Sequence, residues 1–201
     1  ASWLFRPKLA RDSVFIKFLV VIPAHNEGLQ IAETLGKIKK CNYPEALLDL
    51  AVIADNCDDN TADIAAASGA RVYERNNQHE RGKGAALDWF LRHTKARLQD
   101  YGGIVFIDAD SCPDRQLFRA LSDSLSHPEV EVVQGFSGVS NPYDNWRTAI
   151  NSAAFNVFNH LRMAGNEKLT ANAMLKGLGM AFTPDLLIKY GWPAKSEVED
   201  L

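Results

Sequence analysis

Short runs of apolar residues alternate along the chain with segments in which apolar residues recur every three or four positions. The runs predict strands at 18–22, 50–54, 71–74, 104–107 and 130–135. Most of these runs are continuously apolar, so we expect strands that are buried on both faces, as in a parallel sheet. The periodic segments between them predict helices. The pattern therefore predicts the α/β class, with an open, parallel sheet flanked by helices.

The second half of the chain adds helices and one glycine-rich segment. A helix is predicted to start at Pro113, and a long helix at 143–165 carries an apolar stripe. We expect that stripe to face the core, with the wall of an acceptor cleft as the alternative. Residues 175–182 combine glycines with an extended apolar stretch, which predicts a bulge or a close approach of the backbone to a ligand. A short helix is predicted from Pro184 to Gly191.

Composition narrows the class of protein. A chain of 201 residues with 46% hydrophobic and 23% charged residues is typical of one globular domain. The net charge of −3 provides no general basic field, so we expect no nucleic-acid partner. Three cysteines without paired spacing favour reduced thiols and a cytoplasmic location. The chain ends at Leu201 without a helix-stop or turn signal, so we expect a longer protein.

Polar side chains follow three of the predicted strands. Glu27 comes after the first strand, Asp55 after the second, and Asp108 and Asp110 after the fourth. Ligands of open α/β sheets bind at the carboxyl ends of the strands, so we expect these residues at one crevice. Asp108 and Asp110 alternate along an extended segment and can converge on a divalent cation. The alternative is that Asp110 caps the following turn while Asp108 faces water.

Five segments, taken together, make the chain recognisable. They are 21–27, 53–61, 81–87, 107–110 and 199–200. In this order and at this spacing they resemble glycosyltransferase family 2. The resemblance implies the GT-A fold, in which an open, mixed, mainly parallel sheet is flanked by helices. It also implies a nucleotide-sugar donor, a divalent cation (Mn²⁺ or Mg²⁺) and inversion at the anomeric carbon. It also implies one catalytic domain over 1–201, with a nucleotide-sugar part at 14–140 and an acceptor part, truncated at its end, at 141–201.

The resemblance also implies which residues hold the donor. Pro23, Ala24 and Glu27 would hold the base and ribose, with Asp55 accepting a hydrogen bond from the base imide. Lys83 would help to hold the nucleotide. Each polar member has an ordinary structural explanation as well: Glu27 suits the first turn of a helix, Asp55 a turn cap, and Lys83 a solvated loop.

The remaining roles concern the metal, the base and the partners. By resemblance, Asp108 would lie against the ribose and diphosphate, Asp110 would bind the metal, and Asp200 beside Glu199 would be the general base. A carboxylate at a chain end is often merely solvated, which is the alternative for Asp200. The expected donor is a UDP-sugar, and the expected acceptor is a saccharide or a lipid-linked molecule. Membrane association would come from segments outside this chain.

One departure from the family pattern and two other classes of protein stay open. Asn56 and Cys57 follow Asp55 where the family often has Asp-Asp or Asp-Gly-Ser, so this sequence departs from the family pattern at the base contact and not at the metal. A phosphotransferase with an Asp-x-Asp nucleophile is a second class, although such enzymes place the pair after the first strand. A nucleotide-binding fragment without transfer activity is the third.

Overall fold

A computed structural model describes residues 14–136, 138–139, 142–157, 175, 177 and 179–192. In this part of the chain the strands are β1 (Phe18–Ala24), β2 (Leu48–Asp55), β3 (Arg71–Arg75), β4 (Gly103–Phe106), β5 (Val132–Gln134) and β6 (Met180–Phe182). The helices are α1 (Ile31–Lys39), α2 (Thr61–Ala67), α3 (Lys83–Thr94), α4 (Leu117–Leu125), α5 (Trp146–Asn156) and α6 (Pro184–Tyr190). Short 3-10 turns cover Glu45–Leu47 and Lys95–Asp100.

The strands form one mixed sheet in the order β3-β2-β1-β4-β6-β5. The first four strands are parallel to one another, and β6 runs antiparallel to both β4 and β5. Val21 in β1 is opposite Ala51 on one side and Phe106 on the other. The mixed, mainly parallel sheet that the sequence predicts is therefore confirmed, and β1 lies in its interior.

Helices cover both faces of the sheet. On one face, Val20 and Ile22 of β1 pack with α1 and α4 in one apolar core. On the other face, Leu19 and Val21 pack with α3 and with Leu187 of α6 in a second core. Successive strand residues point to opposite faces, so a continuously apolar strand supplies both cores at once.

The glycine segment, predicted to form a bulge or to approach a ligand, makes close backbone contacts with neighbouring strands. The Gly179 amide donates to the Phe106 carbonyl at 3.1 Å, and the Gly135 amide donates to the Gly179 carbonyl at 2.8 Å. A Cβ on Gly135 would lie 2.7 Å from the Gly179 carbonyl oxygen. Gly179 also has a φ of +65°, which glycine adopts without strain. Here the backbone approaches two neighbouring strands, and β6 is thereby placed between β4 and β5.

Two helix predictions need correction. The helix predicted from Pro113 begins only at Leu117, because the Asp114 side chain accepts from the Gln116 amide and the Arg115 carbonyl accepts from Asn42. The long helix begins at Trp146, and residues 158–165 of its predicted span lie outside the described residues.

The prediction that the apolar stripe of this helix faces the core is wrong for α5. Trp146 is 69% exposed, Ile150 is 59% exposed and Val157, just after the helix, is 52% exposed. Periodicity identifies the helix but not its packing partner, which is why the error arises.

Among the described helices, none has the length and apolar character needed to cross a membrane.

Candidate functional site

The carboxyl ends of the parallel strands bring the predicted polar residues to one edge of the sheet. Ala24 at the end of β1 is opposite Ala54, one residue before Asp55. Asp108 follows β4, which pairs with β1 on the other side. Lys83 is the first residue of α3 and forms an ion pair with Asp108. The structure therefore joins β1, β2, β4 and α3 at a single edge.

A cavity of about 280 Å³ opens at this edge. Its lining comprises Pro23, Ala24, His25, Asp55, Asn56, Arg81, Gly82, Lys83 and Ala86. Four of the six residues predicted to hold the nucleotide are in that lining. Glu27 and Asp108 are not, although Asp108 contacts the lining residue Lys83. Two further depressions, of about 300 and 390 Å³, lack the predicted carboxylates.

Asp55 is held by a buried arginine. Arg75, the last residue of β3, donates from Nη1 to Asp55 Oδ1 at 2.6 Å and from Nη2 to the Glu80 carbonyl at 2.7 Å. Asn56 donates to the same Oδ1 at 3.1 Å. Arg75 is 3% exposed and Asp55 6%. Sequence reasoning missed Arg75, and the available signal was an arginine that ends a strand next to the strand of Asp55.

Two asparagines tie the strand-end loops together. Asn26 and Asn56 have φ values of +56° and +52°, a left-handed conformation that asparagine tolerates better than most residues. The Asn26 side-chain carbonyl accepts from the Asp58 amide at 2.9 Å, and that of Asn56 accepts from the Asn77 amide at 2.8 Å. Each asparagine therefore bonds the loop after the next strand along the chain, which fixes the shape of the cavity.

The turn that carries Asp108 and Asp110 is held in place by a buried threonine of α1. The Ser111 amide donates to the Asp108 carbonyl at 3.1 Å, which closes the turn. Thr34 of α1, only 2% exposed, donates its hydroxyl to the Ala109 carbonyl at 2.7 Å and approaches the Ser111 carbonyl at 3.1 Å. Thr34 was also missed, because a threonine inside a helix carries no sequence signal for such a contact.

Lys83 connects the carboxylate turn to the glycine segment. Besides its ion pair with Asp108, its ammonium donates to the Gly177 carbonyl at 2.8 Å. The Lys83 side chain is 23% exposed and that of Asp108 34%, so the pair remains accessible from the crevice. An accessible ammonium at this point can bind a phosphate oxygen.

Negative charge accumulates around Glu27. Burial raises the pKa of Glu27, and the carboxylates of Asp110 and Asp59 raise it further. Hydrogen bonding from the Thr61 hydroxyl lowers the pKa of Asp59 below its ordinary value, so Asp59 stays ionised. The local excess of carboxylate oxygens is the kind of environment that a hard divalent cation stabilises.

The described residues contain no group of three or more histidine, cysteine, aspartate or glutamate side chains that would hold a metal by themselves. Mg²⁺ in nucleotide sites is usually bound by one or two carboxylates together with phosphate oxygens and water. Asp110, which is exposed, and the neighbouring Glu27 fit that smaller set. The predicted base Asp200 and its neighbour Glu199 lie outside the described residues.

The chain matches known proteins over most of its length. Residues 17–200 match the family described as Glycosyltransferase like family 2. The protein named Probable glycosyltransferase YdaM, from Bacillus subtilis, is 26% identical over 193 residues, covering 92% of this chain and 44% of that protein. The chain spans between 42% and 44% of the length of three curated relatives.

Two solved structures share the fold. The mannosyltransferase PcManGT from Pyrobaculum calidifontis, in complex with GDP-Man and Mn²⁺, has a TM-score of 0.69 at 27% identity, over 96% of this chain and 52% of that one. The glucosyl-3-phosphoglycerate synthase from Mycobacterium tuberculosis, with Mn²⁺, UDP and phosphoglyceric acid, has a TM-score of 0.55 at 25% identity, over 86% and 57%. These matches confirm the predicted GT-A fold, and the match over residues 17–200 shows that the chain belongs to glycosyltransferase-like family 2.

Proposed function

We propose that this chain is the nucleotide-sugar-binding catalytic domain, over 1–201, of a metal-dependent inverting glycosyltransferase. It would transfer a sugar from a nucleoside diphosphate, with a UDP-sugar as the expected donor, to an acceptor hydroxyl. One observation carries the proposal. The cavity at the strand ends combines Asp55 and Lys83 in its lining, and Lys83 in turn contacts Asp108 of the turn that bears Asp110.

Different residues at this edge of the sheet would bind different parts of the donor. Pro23 and Ala24 line the cavity with backbone and apolar surface, which suits a nucleobase and ribose. Asp55 presents a carboxylate to the base edge. Lys83 would move from Asp108 towards the diphosphate as the donor enters, because a dianionic diphosphate attracts the ammonium more strongly than one carboxylate. Glu27 and Asp108 would then border the ribose and the diphosphate.

Asp110 would hold the divalent cation, Mn²⁺ or Mg²⁺, with Glu27 close by and diphosphate oxygens completing the ligand set. When bound, the cation neutralises the charge that develops on the departing nucleoside diphosphate. The two structural relatives were solved in complex with Mn²⁺ and with GDP-Man or UDP, which supports a role for a divalent cation.

Asp200, assigned by family resemblance alone, would remove the proton from the acceptor hydroxyl as that oxygen attacks the anomeric carbon. Attack opposite to the departing diphosphate gives inversion. The acceptor is proposed to be a saccharide or a lipid-linked molecule. A cytoplasmic location, with membrane association through segments outside this chain, is part of the same proposal.

Titration calorimetry tests the binding half of the proposal. UDP or GDP should bind with Mn²⁺ present and bind at least tenfold more weakly without it, about the effect of one charge-assisted contact. Asp110→Asn should remove the Mn²⁺ dependence, whereas Asp58→Asn, which changes an exposed carboxylate nearby, should preserve it. Retention of Mn²⁺-dependent binding by Asp110→Asn would disprove the metal assignment.

A second candidate function is favoured by the length of the chain. The chain covers 44% of the Bacillus subtilis relative, and the second candidate is a fragment that binds the donor without transferring the sugar. Measurement of UDP-sugar hydrolysis separates the two: metal-dependent release of UDP by the chain alone supports the catalytic proposal, and binding without release supports a binding fragment.

A further inference from the structure

The two oxygens of the Asp55 carboxylate have different surroundings. Oδ1 accepts both protein hydrogen bonds, from Arg75 at 2.6 Å and from Asn56 at 3.1 Å. None of the described residues donates a hydrogen bond to Oδ2. Oδ2 is also not among the fully buried side-chain atoms of these residues that lack a hydrogen-bond partner. Asp55 lines the cavity, and within the described part of the chain only its Oδ1 is engaged by hydrogen bonds.

The buried ion pair between Arg75 and Asp55 is costly for folding, which indicates a role beyond stability. Arg75 is 97% buried (3% exposed), and its Nε is a buried donor without a partner in the described part of the chain. A buried ion pair is often no more stabilising than apolar side chains of similar size. What the pair does supply is orientation, because a guanidinium that is itself fixed by the Glu80 carbonyl holds the Asp55 carboxylate in place through Oδ1.

We propose that Arg75 is a positioning residue for the nucleobase. Arg75 holds Asp55 Oδ1, so that Oδ2 faces the cavity. Through the Glu80 carbonyl, it also fixes the loop that continues into Arg81 and Lys83, both of which line the cavity. The inference rests on the proposed function, because it assumes that the cavity accepts a nucleoside diphosphate.

The orientation of Oδ2 determines which bases fit. An oxygen that can only accept is matched by a base with a ring N–H at the facing position, as in uracil N3–H and guanine N1–H. Cytosine and adenine have an unprotonated nitrogen at those positions, which would face the carboxylate without a bond. Such unpaired polar groups discriminate strongly between otherwise similar ligands.

Calorimetry with bases of matched size provides the test. In the presence of Mn²⁺, the chain should bind UDP over CDP, or GDP over ADP, by about tenfold or more, the usual effect of a hydrogen bond to a charged group. Arg75→Gln should reduce that preference to about threefold or less, with most of the loss in the imide-bearing ligand. Arg71→Gln is the control, because Arg71 is an exposed arginine of the same strand that lies at its other end. It should leave the preference unchanged.

Two further variants separate positioning from general destabilisation. Arg75→Lys keeps the charge but loses the two-point fork, so its preference should lie between those of wild type and Arg75→Gln. In an Asp55→Asn background, Arg75→Gln should change the preference no further, because Arg75 acts through Asp55. If Arg75→Gln does not fold, as judged by circular dichroism, Arg75→Lys carries the test, with a preference below that of wild type.

The possible failures are distinguishable. If no nucleoside diphosphate binds with Mn²⁺, the proposed function is wrong. Binding of UDP and CDP, and of GDP and ADP, with equal affinity by the wild-type chain overturns the base selection. An Arg75→Gln or Arg75→Lys variant that binds all ligands more weakly by the same factor, with its preference intact, assigns Arg75 a purely structural role.

Discussion

Replacement of Thr34 by valine should destabilise the protein and weaken its donor site together. Thr34 is 2% exposed, and its hydroxyl donates to the Ala109 carbonyl at 2.7 Å and approaches the Ser111 carbonyl at 3.1 Å. Valine has nearly the same shape but cannot donate a hydrogen bond. The Ala109 carbonyl, in a residue that is 4% exposed, would then be buried without this partner.

The expected loss follows from those two contacts. A buried acceptor left without a partner costs about 1–3 kcal/mol, and the Ser111 contact, longer and only partly buried, adds less than about 1 kcal/mol. We therefore expect the free energy of unfolding to fall by about 2 kcal/mol. For a chain of this length, that change lowers the melting temperature by about 4–8 °C.

Urea denaturation and calorimetry measure the two effects. Thr94→Val is a matched control, because Thr94 is also buried and donates at 2.8 Å to Phe90, a carbonyl of its own helix. That variant should lose less than about 1 kcal/mol, since helical bonding can still serve the Phe90 carbonyl. Only Thr34→Val should also weaken UDP binding with Mn²⁺, by several fold, because the turn of Asp108 and Asp110 loosens.

Either of two results would contradict these roles of the Thr34 hydroxyl. A Thr34→Val protein within about 0.5 kcal/mol of wild type would show that the Ala109 carbonyl does not need the hydroxyl. Equal UDP affinities in Thr34→Val and Thr94→Val, at equal temperature below both melting transitions, would show that Thr34 does not position the carboxylate turn.

Three further predictions concern separate parts of the molecule. Gly135→Ala should lower the free energy of unfolding by more than about 1 kcal/mol, because the new Cβ would lie 2.7 Å from the Gly179 carbonyl oxygen. Gly36→Ala, in open space within α1, should instead raise the free energy of unfolding by about 0.5–1 kcal/mol. Urea denaturation measures both changes. Burial raises the pKa of Tyr101 to about 12, above its ordinary value of 10. The neutral phenol therefore contributes fully to the stability of the fold below pH 10, and this stabilisation is lost as the pH rises through 12. Tyr101→Phe should accordingly flatten the fall of stability between these pH values, and an unchanged slope would contradict this. Lys83→Met should weaken UDP binding by about tenfold at low salt and by less at high salt, as calorimetry would show; a loss independent of salt would argue against a phosphate contact.

Much of the fold was predictable because it is encoded locally. Continuous apolar runs identify β1, β2 and β4, and their burial in both cores is the physical reason for the runs. The polar residues that follow each strand were also predictable, since parallel strands end at one edge. Family resemblance then supplied the roles of Asp110 and Asp200. Both roles stay predictions, and Asp200 lies outside the described residues.

The tertiary structure decided what joins residues far apart in the chain. Arg75 meets Asp55 across 20 residues, Thr34 meets Ala109 across 75, and Lys83 meets Gly177 across 94. No local period encodes such pairs, because each depends on how separate elements pack.

The position of β6 and the exposure of α5 were likewise decided by the tertiary structure. A three-residue strand carries too little pattern to specify its neighbours, and an amphipathic helix specifies an apolar face without specifying what covers it. The amino-acid sequence by itself therefore determined the elements and the edge at which the polar residues gather. Only the packed structure determined that a buried Arg75 bonds one oxygen of the cavity residue Asp55, because that contact requires β2, β3 and the loop after β3 in contact at once.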